Sequence, residues 1–114
     1  MMHMSFHEHK LWQDAYVVLM DTHEAFEGEY EGMDEDIAQK VLDAATNLSA
    51  KIADGLSRLD RRMGRQILTD AVGLVAVVRT HLAVSWGRGL LTDEVFQGLD
   101  GKYDGLAIAL QQIR

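Results

Sequence analysis

The segment ILTDAVGLVAVVRTHLAVSW, residues 67–86, decides the fold of this 114-residue chain. Its apolar members Ile67, Leu68, Ala71, Val72, Leu74, Val75, Val77, Val78, Leu82 and Val84 cover most of a helix's circumference over the middle turns. They show no sustained alternation of the kind a half-buried strand requires. A helix apolar nearly all round must be covered on more than one side. Either it is the deeply central helix of a monomer, or part of its surface meets a second subunit. The second reading is preferred, because one small bundle core has too little surface to hide it all. Val72, Val75, Leu82 and Trp86, with Trp12 from the first helix, are the expected subunit-interface residues.

Working outward, Asp60 suits the N-cap of this helix, and Gly87, Arg88 and Gly89 close it, giving a span of about 61–87. Upstream, Ile37, Val41, Ala44, Ala45, Leu48 and Ile52 return at helical spacing over about 34–55. Asp34 and Glu35 suit the positive end of that helix's dipole, and Gly55 is the expected C-terminal stop. A first helix over about 6–27 carries Leu11, Trp12, Ala15, Tyr16, Leu19 and Phe26 on one side, and the acidic stretch Glu27–Asp36 follows it as a loop. Thr92 caps a last helix over about 92–113, whose stripe is Phe96, Leu99, Tyr103, Leu106, Leu110 and Ile113. Gly98, Gly101 and Gly105 each cost that helix about 1 kcal/mol relative to alanine. The expected return is close approach to a neighbouring helix. Short connections join antiparallel neighbours, so the expectation is one all-α domain over 1–114, an antiparallel up-down-up-down four-helix bundle.

Composition narrows function mostly by exclusion. The chain has no proline and no cysteine, so long helices are permitted while disulfides and thiolate metal sites are not. The opening MMHMSFHEHK lacks a basic region followed by an apolar run, and the charge-free stretch Ala71–Val78 is far shorter than the ~20 residues of a membrane span. A cytoplasmic protein without membrane contact is expected. His3, His7 and His9 with Glu8 resemble a metal cluster in composition, but they lie near a chain end, and no physiological metal is expected there. His23 and His81 follow Met20 and Val78 rather than carboxylates, so the Glu-x-x-His pair of di-iron bundles is missing. Ser49, Ser57 and Ser85 have no triad context, and no glycine loop cradles phosphate. The sequence thus points to no enzyme and no cofactor.

A net charge of −7 disfavours a broad nucleic-acid surface, yet residues 56–91 carry six basic against two acidic side chains. Arg58, Arg61, Arg62 and Arg65 form the densest basic cluster and the best candidate for a partner or anion-binding surface. Arginines in the first turns of a helix oppose its dipole and call for compensation. Acidic side chains of Glu27–Asp36 in a neighbouring subunit are the first choice. Nucleic-acid phosphate or an acidic protein partner is the second.

The opening Leu11-Trp12-Gln13 with Ala15, the segment AATNLSAKIADG (residues 44–55), Arg58 just beyond it and LTDAVG (residues 68–73) carry a family resemblance. The chain resembles the four-helix-bundle family of proteins encoded in intervening sequences of bacterial 23S ribosomal RNA genes, which also includes the accessory variability proteins of diversity-generating retroelements. The likeness runs from Phe6 to Ile113. It implies a homo-oligomer, with a pentameric ring as the expected form. For the retroelement proteins it implies a reverse transcriptase and nucleic acid as partners, held by a strongly basic surface that this acidic chain lacks. Asn47 and Lys51 depart from the family's serine and asparagine, Leu42 and Asp43 from a pair of arginines, and Val77 from a glutamate. If that glutamate pairs with an arginine in relatives, the joint exchange for Leu42 and Val77 is physically sensible, since apolar replacement of a buried ion pair is often neutral. The reading of the residues is therefore a non-enzymatic homo-oligomeric scaffold, with an accessory protein for a reverse transcriptase or nucleic acid as the alternative.

Overall fold

A computed structural model describes residues 5–113. A 3-10 turn, Phe6–Glu8, precedes four helices: α1 Lys10–Ala25, α2 Met33–Ser57, α3 Arg61–Gly87 and α4 Asp93–Gln111. No strand occurs among the described residues. The all-α four-helix bundle is therefore the fold. α2 and α3 pack most extensively, α3 also packs on α4, and α1 packs on α2 and α4, while the diagonal pairs do not approach. The result is an elongated molecule of 50 × 21 × 20 Å.

Local chemistry sets the helix boundaries. The Asp60 carboxylate accepts from the backbone N–H groups of Arg62 and Met63, and Thr92 Oγ1 accepts from Val95 N–H, so both expected caps are in place. At the C-terminus of α3, Leu90 N–H donates to Ser85 C=O at 2.9 Å. Gly89 takes a positive φ of 79° there, a backbone conformation open to glycine without a Cβ penalty. α1 starts later than expected, because the chain first turns through Phe6–Glu8 and His9 Nδ1 then accepts from Leu11 N–H as the N-cap.

α2 runs past Gly55 to Ser57, and Gly55 has no positive φ. Gly55 is thus not the expected helix stop. It is buried opposite Gly64 of α3, and a Cβ on Gly55 would meet Leu68 at 2.8 Å, so its small size lets two helices touch. Gly98, Gly101 and Gly105 have the opposite environment. A Cβ on any of them meets nothing within 4 Å, so the close approach expected of them is not made inside this chain.

The core is a continuous column from all four helices, including Leu11, Val41, Leu48, Ile52, Val75, Val78, Leu82, Tyr103 and Leu106. Its main polar element is the 2.7 Å hydrogen bond between Thr22 Oγ1 and Tyr103 Oη. Thr22 has one hydroxyl proton, and at 2.7 Å it goes to Val18 C=O, so the Tyr103 hydroxyl donates to Thr22. At the flank, Arg79 of α3 reaches α4, donating from Nε and Nη2 to the two carboxylate oxygens of Asp100 at 2.8 and 2.9 Å and from Nη1 to Asp104 at 3.1 Å.

Candidate interaction surfaces

Because α3 is apolar nearly all round, packing on α2 and α4 buries only part of it. Val75 (1% exposed) and Leu82 (0%) lie in the chain's own core, which removes both from the expected subunit interface. Their places on the surface fall to Val77 (44%) and Val84 (45%), whose exposure sequence periodicity did not reveal. Val72 and Trp12 are half-buried, and Trp86 is exposed. Trp12 stacks on Tyr16 and meets Phe6 and His7 edge-on. Trp86 lies flat on Phe96, ring centroids 4.5 Å apart, and its Nε1 donates to Asp93 at 2.7 Å. Both tryptophans are therefore held in fixed aromatic groups at the surface.

The outer face of α3 runs from Gly73 through Ala76, Val77, Thr80, Ala83 and Val84 to Gly87, all exposed and all uncharged. Arg79 and His81 flank it, half-buried, and Arg79 is committed to Asp100 and Asp104. By length and composition alone α3 could cross a membrane; here it packs on α2 and α4, and only 33% of its most apolar stretch is buried by them. Val77 also floors a shallow groove of about 360 Å³ between α2 and α3, shared with Lys40, Asp43, Ala44, Asn47, Leu74 and His81. Leu42 is not there. It lines a separate cleft beside Phe26, Glu31 and Glu35, so Leu42 and Val77 do not form the joint replacement expected from the resemblance, and Asp43 is the neighbour of Val77.

The arginine cluster resolves into three residues and an outlier. Arg58, Arg61 and Arg65 line a cleft of about 470 Å³ with His9, Gly55, Leu56, Gly64 and Leu68, while Arg62 does not take part. The Gly55–Gly64 crossing shapes this cleft by drawing the end of α2 and the start of α3 together. Arg58 donates from Nε to Asp54 at 2.8 Å. Arg61 and Arg65 make no ion pair among the described residues. No cluster of three metal-ligating side chains occurs among the described residues, and His3 lies outside them.

The acidic stretch sits at the other end of the bundle. Asp34, Glu35 and Asp36 belong to the first turn of α2 rather than to the loop, and Asp34 accepts from Arg88 at 2.8 Å. Glu29, Glu31 and Glu35 line a cleft of about 450 Å³ with Phe26, Gly28, Tyr30, Ala38, Gln39 and Leu42. No protein-family model matches the sequence, and a search of curated proteins found no match.

Proposed function

We propose that this chain is a non-enzymatic helical bundle that assembles with copies of itself, acting as a scaffold or adaptor. The supporting observation is the uncharged outer face of α3 between Gly73 and Gly87. The face spans about 21 Å at 1.5 Å per residue. It alternates the apolar knobs Val77 and Val84 with small sites at Gly73, Ala76, Ala83 and Gly87, so one helix supplies both knobs and holes for an intermolecular contact. A face that pairs only with itself closes a two-fold dimer, so in a ring the outer face of α3 seats on a second surface of the neighbouring copy. The preferred assembly is a pentameric ring in the cytoplasm, the form implied by the family resemblance.

The test is the substitution of Val77→Glu with Val84→Glu. Both side chains are exposed, so the fold tolerates the change, whereas a carboxylate facing an apolar partner is costly. The expected result, in about 0.5 M salt where polar contacts are screened, is collapse of the assembly to a helical monomer, seen by light scattering and circular dichroism. An unchanged oligomer would move the interface elsewhere and end the proposal for α3.

A second reading, an accessory protein for a reverse transcriptase or nucleic acid, draws on the cleft formed by Arg58, Arg61 and Arg65. It predicts salt-sensitive retention of labelled RNA or DNA that weakens on Arg61→Glu with Arg65→Glu.

A further inference from the structure

The two ends of the bundle carry opposite charge, and each end has a cleft. At one end, residues 51–65 hold five basic and two acidic side chains, and Arg58, Arg61 and Arg65 converge on one cleft. At the other, residues 24–36 hold seven acidic side chains and no basic one, and Glu29, Glu31 and Glu35 converge on the second. α2 separates the two, and its 25 residues correspond to about 37 Å of helix. That exceeds the Debye length of about 10 Å at 0.1 M salt, so the poles do not neutralise each other within one molecule.

The residues at each pole have few partners of their own. Arg61 and Arg65 are without an ion pair among the described residues, as are Glu27, Glu29, Glu31, Glu35 and Asp36. Only Asp34 is taken, by Arg88. The arginine pole has a further bias. Arg61 lies in the first turn of α3, where the positive end of the helix dipole adds to its own charge, and the Asp60 carboxylate is spent on capping Arg62 and Met63. A carboxylate entering the cleft would relieve that repulsion and could be gripped by a planar guanidinium in two-point fashion.

We infer that the arginine cleft of one molecule binds the acidic loop of a second copy, Glu27–Glu31, in a head-to-tail contact. A nucleic acid would meet the same arginines, but it would also meet the field of a chain of net charge −7. A second copy also carries −7, but its charge is concentrated at the acidic pole, so an end-on approach sets that pole against the arginines and leaves the two acidic poles a bundle length of 50 Å apart. The contact is heterologous, joining the two opposite ends of the bundle, so a copy bound at one end leaves its own other end open to the next. It uses no residue of the outer face of α3, so it goes beyond the lateral assembly proposed above and stands or falls separately.

The test is a charge swap on the full-length chain, read by sedimentation velocity at about 0.02 M and about 0.5 M salt, where screening differs several-fold. One variant carries Arg61→Glu and Arg65→Glu, the other Glu29→Arg and Glu31→Arg. All four positions are exposed or in the loop, and glutamate at Arg61 suits the helix dipole, so helix content stays as in the parent. The parent is expected to form higher-mass species at low salt that disperse at high salt. Each variant alone is expected to lose that association by about ten-fold or more, and an equimolar mixture of the two to recover it, because each variant now supplies the pole the other lacks. Association that survives both reversals overturns the inference, as does a mixture that stays dispersed. Loss in the arginine variant with none in the glutamate variant also overturns it, since that pattern belongs to a cleft holding another polyanion. The Val77→Glu, Val84→Glu protein gives an independent check: its lateral assembly is removed, and the salt-dependent species must persist.

Discussion

Gly55 of α2 and Gly64 of α3 lie so close that a Cβ on Gly64 would sit 2.8 Å from the Gly55 carbonyl oxygen. No other glycine pair in the described residues is packed this way. Gly64→Ala forces a methyl group against the Gly55 backbone where α2 and α3 meet, which overpacking data place at about 1–3 kcal/mol of lost stability. Gly101→Ala meets open space on a helical residue and should gain about 0.5–1 kcal/mol. Urea denaturation of the two variants beside the parent checks both signs, and equal effects would mean that the crossing is looser than described.

Tyr103 supplies a pH dependence. Burial pushes its hydroxyl up to about 12, more than the Thr22 hydroxyl offsets by turning to a phenolate, and the charge on Asp21 pushes the same way. The folded value lies above the ordinary value of 10.0, so the folded state holds this proton more tightly than the unfolded chain does. The associated stability is fully present below pH 10 and is lost as pH rises through 12, at most about 2–3 kcal/mol. Tyr103→Phe should therefore flatten the decline in stability across that window. At neutral pH it should cost about 1 kcal/mol, since Thr22 keeps its bond to Val18. Denaturant midpoints measured from pH 8 to 12 test this, and identical slopes for parent and variant would refute it.

Arg79 fastens α3 to α4 through Asp100 and Asp104, and the Asp100 hydrogen bonds raise its pKa above the ordinary value against the opposing effect of burial. The group is partly exposed, so solvent and salt screen it. Arg79→Ala should cost about 1 kcal/mol in dilute buffer and less in about 0.5 M salt, with the difference read from paired denaturation curves. A loss independent of salt would assign the effect to the aliphatic stem of Arg79 rather than to its charge.

The sequence disclosed helix existence and several ends because these depend on chemistry within a few residues. Asp60 and Thr92 cap where expected, since a short side-chain oxygen reaches only its own first turn. Which side of α3 faces inward was illegible. In a helix apolar nearly all round, Val75 and Val77 look alike, and only the positions of α2 and α4 bury one and expose the other. Glycine roles were similarly hidden. Gly55 and Gly101 are both helical, and a neighbouring backbone over the first but not the second is a tertiary fact. His9 entered the arginine cleft unforeseen, because it belongs to a segment fifty residues away in sequence whose path is set by the bundle.

The mass of the particle in solution tests the central claim most directly. A chain of 12.8 kDa that shelters the outer face of α3 against copies of itself must sediment at equilibrium as a defined multiple of that mass at micromolar concentration, in salt high enough to suppress polar contacts. A monodisperse species at 12.8 kDa under those conditions contradicts the account, because Ala76, Val77, Ala83 and Val84 would then face water unaccompanied.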